Sequence, residues 1–166
     1  MGYKVDTSLT PHIKWNDKTR ENAVDYTNMP EQPFTVGDDL LEVPISIFKS
    51  YQFSFFELLK SGFGLRRDMN FTKNIWLRPV YSDFKKMEYI FNNIFKKYNY
   101  KNIIVFNMMF HNVEIIPLLS PYTKNELDCV NYLNVLTQFF NLCLNNGSEF
   151  VSLSRLYEIY NKQKNN

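Results

Sequence analysis

Residues 103–110 read Ile-Ile-Val-Phe-Asn-Met-Met-Phe, a nearly continuous apolar run. A strand needs such a run when both faces of its sheet are covered. Before it, Phe84, Met87, Ile90, Phe91, Ile94, Phe95 and Tyr98 recur at steps of three and four behind Ser82-Asp83, which predicts a capped amphipathic helix. After it, Thr123-Lys124-Asn125-Glu126 has the spacing of a capping box, and apolar residues from Leu127 to Cys143 continue a long helix to Gly147. Phe150-Val151-Ser152 reads as a last short strand, with a helix over Leu153–Tyr160 behind it. Alternation of strands with long helices predicts parallel βα units and the α/β class.

The upstream half is less regular. In Tyr3–Leu9, Tyr3, Val5, Thr7 and Leu9 alternate with polar residues, which predicts a strand closed by Pro11. A second strand is expected over Leu40–Phe48, with Pro44 placed where no N–H is demanded. Between them, Thr10 to Leu40 is polar, contains Pro11, Pro30, Pro33 and Gly37, and shows no apolar period. It reads as a long binding loop or flap carrying Trp15, Tyr26 and Phe34. Tyr51–Leu65 suits a short helix stopped by Gly62 and Gly64, with Arg66-Arg67-Asp68 as a charged turn. A complete barrel of βα units takes roughly 250 residues, and this chain has 166. A parallel strand at residue 3 would need partners before it, so the expected architecture is an open sheet or a barrel with units missing.

Charge narrows the function classes. Nineteen basic against 17 acidic residues leave a net charge of +2, spread along the chain, so no strong field draws in nucleic acid. Cys129 and Cys143 stand too far apart on one helix to pair and share no ligand spacing with a histidine; they read as buried thiols. No apolar stretch reaches the roughly 20 residues of a membrane span, and no basic-then-apolar leader opens the chain. The expected location is cytoplasmic.

Working groups of parallel α/β proteins gather at the C-terminal ends of strands. His111 stands at such an end, where imidazole could act as a general acid or base or plug the strand end through hydrogen bonds. His12, the other histidine, reads as a solvated loop residue. Asp38-Asp39 near Glu42 reads as a solvated turn, and Asp6, Asp17 and Asp25 are the carboxylates that could orient His111. Hydrolytic metal sites usually take three protein ligands. There is no His-x-x-x-His, Cys-x-x-Cys, Gly-x-Ser-x-Gly or glycine-rich phosphate loop, so metal, serine-hydrolase and nucleotide readings lack support.

In order, several segments resemble the C-terminal half of the polysaccharide deacetylase family, the NodB homology domain. They are Gly2 to Pro11, Asp25 to Phe34 with its prolines, Glu42-Val43-Pro44-Ile45, Trp76-Leu77-Arg78-Pro79, and Met108 to Pro117 with Ser120-Pro121-Tyr122. The resemblance implies a partial (β/α) barrel of the deacetylase type over residues 1–160, lacking its N-terminal strands, with a polar tail at 161–166. It places Met109 and His111 in the family's Leu-x-His motif, as an acetate-pocket residue and the proton donor to the leaving group. It makes Asp6 a candidate carboxylate for tuning that histidine, without the usual Asp-x-Trp context. Trp15 on the flap is the candidate for stacking on sugar. The complete domain is expected to remove N- or O-acetyl groups from a glycan with a divalent metal such as zinc or cobalt. The family's own Asp-Asp pair, His-x-x-x-His and arginine motif lie earlier in its fold and have no counterpart here, so no metal is expected in this chain alone. A fragment inactive by itself, short of its N-terminal half, is the expectation; a non-catalytic carbohydrate- or partner-binding module is the other reading.

Overall fold

The computed structural model describes residues 2–15, 24–51 and 72–164. The helix expected after Tyr51, the Arg66-Arg67-Asp68 turn and Asp17 lie outside the described residues. The elements, in chain order, are seven short strands, β1 (Val5–Asp6), β2 (Lys14–Trp15), β3 (Val24–Asp25), β4 (Phe34–Val36), β5 (Leu40–Glu42), β6 (Ile47–Tyr51) and β7 (Thr72–Trp76), followed by α1 (Phe84–Tyr98), a 3-10 turn (Asn112–Ile115), α2 (Glu126–Asn145) and α3 (Leu153–Lys164). Both α/β ingredients are therefore present, but the ladders are small.

β1 pairs in parallel with β5, and β4 pairs antiparallel on the other side of β5. β2 with β3, and β6 with β7, form separate antiparallel pairs. One parallel pair stands among the described residues, and they close no barrel. The polar stretch from Thr10 to Leu40 is more structured than its composition implies, because it holds β2, β3 and β4. The predicted strand Leu40–Phe48 is split in two. Pro44 has no N–H to give, and the chain between the halves bonds to two different neighbours: Ile45 N donates to Leu9 O at 3.0 Å and Ser46 N to Asn107 O at 2.9 Å.

The apolar run 103–110 is extended but joins no ladder. Side chains substitute for the missing partner strand along one edge. The Gln32 amide accepts from Val105 N at 2.8 Å and donates to Val105 O at 3.1 Å. Asn107 N donates to Ser46 Oγ at 2.9 Å, while Asn107 Nδ2 donates to Val43 O at 2.8 Å. The likewise predicted strand at 150–152 is irregular, and Ser152 serves instead as a cap, accepting from Arg155 N at 3.2 Å at the start of α3.

The helices follow the sequence pattern closely. Asp83 caps α1 by accepting from Lys86 N, and Met87, Ile90, Phe91 and Ile94 form its buried stripe. α2 differs in one detail. Its cap is Asn125, which accepts from Asp128 N, while Thr123 is buried against Ser120 through a 2.9 Å hydroxyl contact. The Thr123–Glu126 box is thus two residues early, because Thr123 is spent closing the preceding loop.

The larger core cluster joins Ile75 and Leu77 to the α1 stripe and to Phe139 and Cys143 of α2, with Phe106 stacked on Phe91 at 4.7 Å. Each large apolar side chain buried there contributes about 1.5–3 kcal/mol. A smaller cluster sets Leu156 of α3 on Leu41 and Val43. Cys129 and Cys143 are buried free thiols, and burial pushes the Cys143 thiol up to about 11. Among the described residues no helix is long and apolar enough to cross a membrane.

Candidate functional site

His111 ends the extended segment and opens the 3-10 turn, with φ −115° and ψ 140°. Its carbonyl accepts from Glu114 N at 3.0 Å. The ring is exposed, and no hydrogen bond of it stands among those of the described residues. The plug reading of this histidine therefore finds no support in the geometry, whereas a ring open to solvent can reach a substrate.

The turn is held from beneath. Glu114 is 1% exposed and Arg78 is 6% exposed. Arg78 Nη2 donates to Glu114 Oε1 at 2.6 Å and the Tyr132 hydroxyl donates to Glu114 Oε2 at 3.0 Å. This pairing is what makes a buried charge tolerable in the core. Burial, then the hydrogen bond to Glu114, pushes the Tyr132 phenol well above its ordinary value, so it stays a donor. Arg78 Nε is buried and has no hydrogen-bond partner among the described residues.

Above the guanidinium lie two rings. Arg78 Cζ is 4.6 Å from the Tyr81 ring centre and 5.4 Å from that of Tyr122, within cation–π range. Tyr81 and Tyr122 touch edge to face at 5.7 Å, and their hydroxyls meet at 3.0 Å. Trp76 packs edge-on against Tyr81 at 6.1 Å and against Trp15 at 6.5 Å. Trp15 Nε1 donates to Thr10 Oγ1 at 2.8 Å, which fixes the indole.

The sequence-predicted residues do not converge. Asp6 accepts from Thr7 N at 2.7 Å, Ser8 N at 3.1 Å and Ser8 Oγ at 3.0 Å, an Asx turn that ends β1. Its register partner is Glu42, not His111. Glu42 is buried and accepts from Leu9 N at 3.2 Å. Burial first, then the neighbouring Asp6, raises the Glu42 carboxyl above the ordinary carboxylate range. Met109 is half-buried in the extended segment. Asp25 instead pairs with Lys14 at 3.4 Å across the β2–β3 ladder. Asp38 and Asp39 are exposed on the turn at Gly37, where Asp39 meets Lys4 and the Tyr157 hydroxyl.

His12 is a correction to the solvated-loop reading. It sits at φ 67°, half-buried, with its ring 2.7 Å from Glu31 Oε1. Glu31 also accepts from Lys97 Nζ at 2.9 Å and from the Tyr98 hydroxyl at 2.9 Å. His12 thereby ties the loop to the end of α1. Among the described residues no group of three histidine, cysteine or acidic side chains is placed to hold a metal ion.

Arg78 and Glu114 stand within the motif segments, but the sequence alone assigns neither a role. The available signal was a lone acid inside Val113–Ile116 and a lone base between Leu77 and Pro79, charges that apolar surroundings force into a pair. Comparison with protein-family models, with characterised proteins and with solved structures finds no match.

Proposed function

We propose that this chain is one part of a carbohydrate-deacetylase-like domain, contributing the proton donor His111 to hydrolysis of an N- or O-acetyl group on a glycan. The observation that supports it best is the setting of His111: exposed and without a ring partner among the described residues, at the end of an extended apolar segment, on a turn anchored by the Arg78–Glu114 pair. A general acid needs reach toward the leaving group and a fixed backbone behind it. In this role the imidazolium passes its proton to the sugar nitrogen or oxygen as the bond from that atom to the acetyl carbon breaks. Met109 lines the acetate side, as the resemblance implies, and Trp15 contacts sugar.

The described residues do not fit the divalent metal of the complete domain. His12 is engaged with Glu31, and hydrolytic sites take three converging ligands. On this reading the ion-holding residues, and the remaining strands of the barrel, belong to polypeptide outside these 166 residues. The exposed Phe110, Ile115, Ile116, Leu118 and Leu119 around the turn agree with a surface that other elements cover.

Acetate release from chitohexaose and acetylated xylan, with zinc, cobalt or manganese, tests the reading. The chain alone is expected to release none. Co-expressed with a family N-terminal half bearing Asp-Asp and His-x-x-x-His, it should release acetate, with a loss of roughly 10²–10⁴-fold for His111→Ala. Turnover by the purified chain alone, or a folded complex indifferent to His111→Ala, overturns it.

A further inference from the structure

We propose that the unmet edge of the extended segment 103–110 is a docking slot for a strand of another polypeptide, joined to it by backbone hydrogen bonds. In extended backbone, successive residues turn their N–H and C=O groups to opposite edges. Val105 and Asn107 face the edge that is met: Gln32 bonds both backbone groups of Val105, and Ser46 bonds both of Asn107. Ile104, Phe106 and Met108 face the other edge. Among the described residues no hydrogen bond reaches their N–H or C=O groups.

That edge opens into a cleft of about 700 Å³ beside Ile103–Met108. α2 lines it with Phe139, Phe140 and Cys143, and α3 with Leu156 and Ile159. The two helices belong to opposite faces of the segment. Ile104, Phe106 and Met108 pack against the cluster that holds Phe139 and Cys143, and Val105 against the one that holds Leu156. A strand laid along the edge thus passes between two helices, the position of a covered strand in a sheet. The place suits apolar side chains and stands open: residues 103–109 are only half-buried, and Phe110, Phe150 and Leu153 along the cleft are 45%, 58% and 45% exposed.

The unmet backbone selects the occupant. A lipid tail or other apolar ligand would strip water from the N–H and C=O groups of three residues and return no hydrogen bond. A polypeptide strand supplies partners for them and sets its own alternate side chains against α2 and α3, which is how strand addition combines affinity with specificity. Among the described lining residues only Lys101 and Glu149 carry charge, so the fitting strand is uncharged and apolar on both faces, like 103–110 itself. A second copy of this chain does not fit through the same segment. Each such edge lies at the floor of a cleft between two helices, and two recessed edges cannot meet. The slot owes nothing to the chemistry assigned to His111.

Titration of the chain with a short synthetic peptide of alternating valine and threonine between terminal lysines, followed by calorimetry and amide hydrogen exchange, tests the slot. Binding should slow exchange at Ile104, Phe106 and Met108 at least tenfold and leave Val105 and Asn107 unchanged. The same peptide N-methylated at every residue, more apolar but without N–H donors, should bind at least tenfold more weakly. Phe150→Asp, which sets a charge in the cleft at an exposed ring, should weaken binding to a similar degree. Leu127→Asp, at an exposed position of α2 outside the cleft, should leave it unchanged. Circular dichroism checks that both variants keep the fold, and the methylated peptide tests the slot on the unaltered chain. No binding at millimolar peptide, equal binding of the methylated peptide, slow exchange of the three amides in the free monomer, or their protection by dimerisation without peptide overturns the inference. So does laurate that binds in the cleft and that the peptide fails to displace.

Discussion

At the scale of single residues, the Arg78–Glu114–Tyr132 triad decides more than any other contact around His111. Removing one member of a buried ion pair leaves the other charge uncompensated, at a cost of about 3–5 kcal/mol. Glu114→Gln is therefore expected to lower stability by that order in chemical denaturation, and to loosen the turn behind His111. Replacing both charges at once with Arg78→Met and Glu114→Leu should destabilise less than either single change, because no orphan charge remains. A double variant no more stable than the singles would show that the charges act independently. Tyr132→Phe removes only one donor to Glu114, so a smaller loss of about 1–3 kcal/mol is expected.

At the scale of elements, the extended segment 103–110 is the informative piece. Its composition demands a covered strand, yet along one edge Gln32 and Ser46 stand in for a neighbouring chain at Val105 and Asn107. In extended backbone, alternate residues turn their N–H and C=O groups to opposite edges. Among the described residues no hydrogen bond reaches the backbone of Ile104, Phe106 or Met108. Amide hydrogen exchange should alternate accordingly, with Ile104, Phe106 and Met108 exchanging at least tenfold faster than Val105 and Asn107. Uniform protection across the segment would mean that its second edge is paired too. α1 and α2 present no such ambiguity, since a helix satisfies its own backbone and needs only one apolar stripe covered.

At the scale of the whole molecule, Glu31 links parts far apart in sequence. It accepts from His12 in the N-terminal loop and from Lys97 and Tyr98 at the end of α1. Burial acts to raise its carboxyl and is the largest single influence; the hydrogen bonds from His12, Lys97 and Tyr98 outweigh it and hold the group at about 2, below the ordinary 4.5. A carboxyl lowered in the folded state adds stability that is complete above its unfolded value and fades as pH falls toward the folded one. Stability should thus decline from about pH 5 toward pH 2, with Glu31 contributing on the order of 3 kcal/mol of the change. Glu31→Gln should flatten that part of the profile in thermal melts taken across the range. An unchanged acid slope would assign the loss to other carboxylates.

What the residues dictated without help was local. The step of three and four from Phe84 to Tyr98 placed α1 and its buried stripe, Asp83 announced its cap, and Gly147 marked the end of α2, because helix periodicity and capping are settled within a few neighbours. The apolar run at 103–110 was legible as extended, and His111 as its terminus, but the two covered faces it called for are not there: residues 103–109 are half-buried and Phe110 is exposed. Tertiary structure alone decided who the partners were. Nothing local told that Gln32 would stand in for a strand beside Val105, or that His12 would leave solvent for Glu31. Nor did it tell that Asp6 would turn back on Thr7 and Ser8 beside Glu42, or that Tyr81 and Tyr122 would meet over Arg78 with Trp76 and Trp15 beside them. Those pairings join residues remote along the chain, and the balance of desolvation against hydrogen bonding that fixes them exists only once the surrounding elements have packed.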